Sequence, residues 1–400
     1  MHDELLISQQ PALQRMARLT GGVLQALEIE QPGTQYLVGN IYRGRVARLL
    51  PGLNAGFVDL APGLQGLLTL AEAKPPGATL KLGESLLVQV SRDATGAKKA
   101  QLSAAVNLPG PHWVLVAGKP RSGVSRRITD AAIRRRLGSL AAAITQDLGL
   151  AGATFVARTA AAEAPDALLR DEAHRLAEAW NALHGFLRRS GEPRLLLAEL
   201  PFAQRVIRDL GRALPERISV DTSADFAALH AWCTEHRPAV LPSLEHYVGV
   251  RPLFAARGVD AAISALLRPQ VSLPSGGSLV IEHTAAMTTV DVNSGSDTHS
   301  ERAQLTANLE AVQALPRQLR LRGVGGMIAV DFISLSDASQ WRELVAALQQ
   351  SVLDDPAMSR VHRVDRLGVV LLTRKQRGLP LASVLKPVSF ADDAPGQRDE

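Results

Sequence analysis

Cysteine is almost missing from this chain: its 400 residues contain one, Cys233. A single thiol excludes an internal disulfide and any metal cage made of several cysteines. No run of about 18 apolar residues occurs, so no membrane-spanning helix is expected. The opening residues MHDELLISQQ carry acids where a secretory leader needs a basic end and an apolar stretch. The simplest expectation is a cytoplasmic protein. The ten histidines show neither HxxxH nor HxxEH spacing, which argues against a zinc hydrolase. The phosphate loop GxxxxGK(S/T) is missing too, so P-loop NTPase chemistry is not expected.

What is present is positive charge carried by arginine. The formal net charge is +5 and the pI about 9.6, and lysine is a minor part of the basic set. The planar fork of arginine grips phosphate in bidentate fashion, which favours a polyanionic partner. A GC-rich coding sequence also enriches arginine, whatever the function. Hydrophobic residues at 46% and charged residues at 21% are ordinary for globular domains, and the length suits two to four of them.

Along the chain, the segment up to about residue 70 alternates apolar and polar residues. Turns fall at Pro32-Gly33, Pro51-Gly52 and Pro62-Gly63. A further strand pair, 86–90 and 100–102, is joined by the polar loop SRDATGAKK. Short strands at even spacing predict a small barrel. From Ile128 the spacing turns helical, in TDAAIRRRLGSLAAAITQDLG and APDALLRDEAHRLAEAWNALHGFLRR, with TFVART as a strand between them. The last third alternates strand and helix, as in an α/β layered domain, with Pro316 inside one helical pattern as an expected kink.

Two acids stand out there. Asp331 interrupts the apolar strand MIAVDFI, and Asp291 lies in TTVDVN two residues before Asn293. An ionised carboxylate in a dry strand is costly unless paired or metal-bound. Residues two apart leave a strand on the same face, so Asp291 and Asn293 could share an ion with Asp331 if the strands are neighbours. Such an oxygen-only set suits Mg²⁺ or Mn²⁺. Asp and Asn also favour strand-to-turn junctions, and Asp331 could pair with an arginine. Spacing alone leaves both readings open. Arg317, Arg320 and Arg322 in PRQLRLR either contact phosphate or form a solvated helix face.

Six blocks then appear in a fixed order: GNIYRGRVARLLPGLNAGFVDL, SGVSRRI, VARTA, LPSGGSLVIEHTAAMTTVDVNSG, TANLEAVQALPRQLRLRGVGGMIAVDFISL and LGVVLLTRK. Together they resemble the catalytic half of the ribonuclease E/G family, from about residue 4 to residue 386. The resemblance implies an α+β multidomain fold. An S1-type OB-fold barrel (36–105) is inserted in an RNase H-like subdomain (1–35 and 193–266). A 5′-sensor subdomain (106–192), a DNase I-like α/β catalytic domain (267–388) and a polar tail (389–400) complete it.

The same resemblance implies a Mg²⁺-dependent endoribonuclease, with Mn²⁺ as a substitute. It would act on single-stranded, A/U-rich RNA, be stimulated by a 5′-monophosphate, and leave a 5′-phosphate and a 3′-hydroxyl. Asp291, Asp331 and Asn293 fall on the family's metal-binding positions. Phe57, Arg92 and Lys98 fall on its RNA channel, where Leu67 replaces a second aromatic. By residue type alone Phe57 is better read as barrel core. Arg158, Thr159 and Arg126 fall on the 5′-phosphate sensor, and Gly110 and Val114 on backbone positions lining it.

The family's CPxC zinc link does not occur, so no structural zinc is expected. A homodimer would need another surface, and no degradosome scaffold or membrane partner is implied. Expected substrates are ribosomal RNA precursors and messenger RNA. The alternative is an RNA- or ribosome-binding protein with a vestigial nuclease domain.

Overall fold

A computed structural model describes residues 2–10, 13–31, 37–69, 80–94, 99–118, 123–150, 152–188, 191–284, 286–295, 301–353, 355, 357–364, 368–376 and 378–385. Lys98 and the segment 389–400 lie outside the described residues. The chain divides into two compact units, residues 1–16 with 32–248 and residues 17–31 with 249–400.

In the first unit, the strand Asp3–Gln10 runs parallel to Arg217–Val220, which is parallel to Leu244–His246. Leu5, Ile7, Ile218 and Val220 are buried against Val206, Ile207 and Leu229 of the helices Phe202–Asp209 and Ser223–His236. The hydroxyl of Thr222 caps the second helix, accepting from the Asp225 N–H at 3.2 Å. Cys233 sits wholly inside this cluster, where burial pushes its thiol up to about 11. It is a core residue.

The alternating segment expected to form a barrel does so only from Ile41 on, because its first strands, among them Asp3–Gln10, pair in another sheet. Strands Ile41–Leu50, Ala55–Ala61, Leu64–Thr69, Ala100–Ser103 and Ser85–Arg92 pair in that spatial order, and the last pairs back with the first. This closed five-stranded barrel matches an S1/OB-type domain and removes the free sheet edges. Its interior is filled by Val46, Val58, Leu60, Leu68, Val88 and Leu102.

Beyond the barrel, four strands order as Gly123–Val124, Ala153–Ala157, Trp113–Ala117 and Asn107–Pro109. The helices Ala131–Asp147 and Asp166–Arg188 pack on them through Leu137, Leu140 and Leu169, around Trp113 and Phe155. Asp130 starts the first helix, accepting from the N–H groups of Ala132 and Ile133 at 2.8 and 2.9 Å.

The second unit carries a six-stranded sheet in the order Gln270–Ser272, Ser278–His283, Thr288–Asn293, Gly326–Asp331, Val369–Arg374, Arg360–Val364. Its two middle strands are parallel, and the helix Glu301–Leu321 connects them. That helix and Ala338–Ser351 cover one face, where Val290, Val292, Ile328 and Val330 meet Val312, Leu315, Leu344 and Leu348. Period-two alternation then sends Asp291, Asn293 and Asp331 to the opposite face. The first helix runs on through Pro316 without interruption. Among the described residues no helix is long and apolar enough to cross a membrane.

Candidate active site and nucleic-acid contacts

Asp291 and Asp331 are register partners on the two parallel strands. Partners on adjacent strands stand about 4.8 Å apart and share a face. Both side chains are exposed, while their neighbours Val290, Val292 and Val330 are buried on the helix side. The carboxylates therefore meet at the carboxyl ends of the parallel strands, where open α/β sheets bind ligands.

Asn293 lies two residues on, along the same face, and its Nδ2 donates to Asp291 Oδ2 at 2.8 Å. In this geometry the Asn293 amide N–H orients the Asp291 carboxylate. Gly277 of the PSGGS turn packs against the same strand end: a Cβ there would come within 2.5 Å of the Asn293 carbonyl oxygen. Among the described residues no group of three or more His, Cys, Asp or Glu converges. Two carboxylates and one amide are thus what this face offers a cation, and hard divalent ions fit that set.

A residue that sequence reasoning passed over fixes the strand end. Asn308, fully buried on the helix Glu301–Leu321, donates from Nδ2 to the Ile333 carbonyl at 2.8 Å and accepts from the Ile333 N–H at 3.0 Å. Ile333 follows Asp331 by two residues, so this clamp sets where the carboxylate leaves the sheet.

The arginines of PRQLRLR are not brought to the carboxylates. The helix returns antiparallel to its strands, which places its last turn beside the start of Gly326–Asp331. Arg320 neighbours Asp355 and Arg374, and Arg374 is the register partner of Gly326. Burial lowers the pKa of Arg320 and of Arg322, and Arg322 Nε donates to Gln318 Oε1 at 3.1 Å. Arg317 is half-buried on the same stretch. An open depression of about 510 Å³, lined by Met327, Met358, Arg360 and Lys375, lies at this far end too.

On the barrel, five cross-strand neighbours form one row: Arg48, Phe57, Leu67, Gln101 and Arg92. Val58 and Leu60 point inward, so Phe57 points out, and the core alternative for it falls away. The Arg48 guanidinium lies over the Phe57 ring at 5.1 Å. Arg92 closes the row as an exposed side chain. Arg48 and Gln101 were not singled out from the sequence, because only the register puts them beside Phe57.

The third constellation surrounds Arg158. Its Nη1 donates to the Gly110 carbonyl at 2.7 Å and its backbone N–H to the His112 carbonyl at 2.8 Å. Gly110 is glycine for a visible reason: a Cβ would stand 2.2 Å from Glu172 Oε1. Glu172 is buried and accepts from the N–H groups of His112 and Trp113, both at 2.9 Å, so it shapes this turn. Val114 continues the strand between Pro109 and Val156. Arg126 is exposed on the turn after Ser125, whose N–H bonds the Ala157 carbonyl at 2.9 Å, next to Arg158 in the chain.

Thr159 opens the short turn that follows, and Gly211 faces it, an added Cβ there meeting Oγ1 at 3.5 Å. The segment 208–211, which the sequence did not single out, borders this cluster. Arg158 Nη2 meets Asp209 Oδ1 at 2.8 Å. Arg237, wholly buried, caps the same helix end through the carbonyls of Leu210 and Gly211 at 2.8 and 2.9 Å, and burial lowers it to about 10.

Comparisons with known proteins identify relatives of the chain. A family model described as "Ribonuclease E/G family" matches residues 107–377. Ribonuclease G of Escherichia coli (strain K12) is 35% identical over 405 residues, covering 96% of this chain and 82% of its own. Ribonuclease G of Haemophilus influenzae is 31% identical over 404 residues, covering 96% and 81%. Ribonuclease E of Nostoc sp. is 34% identical over 358 residues, covering 85% of this chain and 51% of its own.

Proposed function

The chain belongs to the ribonuclease E/G family and is an endoribonuclease, and we propose that it cleaves single-stranded RNA at Asp291 and Asp331 with a bound Mg²⁺ or Mn²⁺. The observation that carries this reading is the register pairing of the two aspartates on an exposed sheet face. Asp291 and Asp331 would hold the ion, with Asn293 fixing the rotamer of Asp291. When bound, the cation supplies positive charge to the scissile phosphate and makes a nearby water more acidic. Water attacks phosphorus in line with the leaving 3′ oxygen. The new P–O bond forms as the P–O3′ bond breaks, and the products are a 5′-phosphate and a 3′-hydroxyl.

Single-stranded RNA fits the barrel row, where Phe57 offers a stacking face and Arg48 and Arg92 offer charge. An A/U-rich preference and stimulation by a 5′-monophosphate belong to the same proposal, the latter through Arg158, Thr159 and Arg126 with the Gly110 and Val114 backbone. Residues 106–192 then act as the 5′-sensor, 267–388 as the DNase I-like catalytic domain, and 1–35 with 193–266 as the RNase H-like support. Ribosomal RNA precursors and messenger RNA are the proposed substrates.

The test is cleavage of a 5′-monophosphorylated oligoribonucleotide. Asp291→Asn and Asp331→Asn should each slow cleavage by about 10²-fold or more while RNA still binds. Full activity in both variants would overturn the metal-site assignment.

A further inference from the structure

Arg158 already has an anion. Its Nη2 donates to Asp209 Oδ1 at 2.8 Å, while Nη1 is taken by the carbonyls of Gly110 at 2.7 Å and Arg208 at 3.3 Å. Any phosphate that comes to this guanidinium meets a carboxylate in place.

The position of Asp209 is unfavourable by itself. It is the last residue of the helix Phe202–Asp209, where helix carbonyls disfavour negative charge. Burial also works against its ionisation, but hydrogen bonds and charge from Arg208 and then Arg158 outweigh both and hold its carboxyl below the usual range. Neutralising Arg208 does not require it, because Arg208 Nη1 is bonded to Glu199 Oε1 at 2.6 Å. The Asp209 side chain remains 46% exposed, so an RNA end can reach it. A local conflict of this kind, held in place at a pocket, marks a functional position.

We infer that Asp209 is a tethered competitor for the RNA 5′-phosphate: it occupies Arg158 in the RNA-free enzyme and gives way only to a stronger anion. The inference rests on the reading of Arg158 and Thr159 as the terminal-phosphate pocket. An internal phosphodiester carries one negative charge, as Asp209 does, and gains nothing by displacing it. A terminal monophosphate carries about 1.5 to 2 negative charges at pH 7 and three acceptor oxygens. Asp209 thereby sets how tightly a terminal monophosphate is held at Arg158.

The experiment measures dissociation constants of the full chain, in chelator, for one oligoribonucleotide bearing a 5′-hydroxyl or a 5′-monophosphate. Asp209→Asn keeps the shape and removes the charge. It should tighten the monophosphate form by about fivefold relative to the hydroxyl form, the size of one screened charge contact at about 4 Å. Asp209→Glu keeps the charge and should hold the wild-type ratio. An unchanged or reduced ratio in Asp209→Asn, with Arg158→Ala abolishing the preference, would make Asp209 a structural partner of Arg158 and overturn the inference alone. A gain of equal size in Asp209→Glu would overturn it as well. No effect of Arg158→Ala on the ratio would instead remove the pocket itself.

Discussion

Asp291 and Asp331 sit side by side on neighbouring parallel strands, 40 positions apart in the chain and direct partners in register. Both project from the exposed face, and the valines that alternate with them are buried under the helices. Two like charges at adjacent register positions repel one another, and the proposed cation would relieve that repulsion. A strand pair selected only for packing has no reason to keep it.

That relationship predicts a metal response independent of catalysis. Added Mg²⁺ should raise the melting temperature of the wild-type chain, following the mass-action law for a ligand of the native state. Asp291→Asn should melt higher than wild type in chelator and lose the Mg²⁺ response. Calorimetry or circular dichroism reads both, and an undiminished response in the variant would contradict the assignment.

Asn308→Ala removes both side-chain bonds to Ile333 and leaves a buried N–H and carbonyl without partners. The expected cost is about 2–4 kcal/mol in urea unfolding, from two unsatisfied groups. Because the strand end with Asp331 loosens, kcat should fall more than KM rises. A change confined to stability would make Asn308 a packing residue only.

On the barrel, Phe57→Ala should weaken binding of a short single strand by about 1–3 kcal/mol, the worth of one stacked base. Leu67→Phe should strengthen it, since Leu67 is the next residue in the row. Arg48→Ala and Arg92→Ala should each make binding less dependent on salt, each lowering the slope of log K against log salt by about 0.7. Titrations by fluorescence anisotropy at several salt concentrations separate these effects.

Acid sensitivity should trace to Asp355. It is buried, and burial raises its pKa, yet bonds from Arg374 Nε at 2.8 Å, from Ser359 and from the Ala357 N–H win and lower it. A depressed folded-state pKa adds stability above the unfolded value of about 3.9 and loses it as pH falls through the folded value. Wild-type stability should therefore drop below about pH 4, and Asp355→Asn should flatten that part of the profile. At neutral pH the same variant should be less stable by about 3–5 kcal/mol, because Arg374 is left buried without its carboxylate.

Much of this was legible in the amino-acid order. Period-two alternation announced the barrel strands, helical spacing announced Ala131–Asp147 and Asp166–Arg188, and Asp291 and Asp331 stood out against their apolar neighbours, while Arg158 was marked only by the family resemblance. Local patterns carry such information because neighbouring side chains share one element. What lay beyond them was decided by packing between elements. Strand register put Asp331 beside Asp291 and lined up Arg48, Phe57 and Arg92; the return of a helix carried Arg320 away from the site; and Asp209 came to Arg158 across 51 positions. No local spacing encodes these meetings, because each depends on burying distant apolar faces together, and the polar groups then pair with whatever that burial brings near.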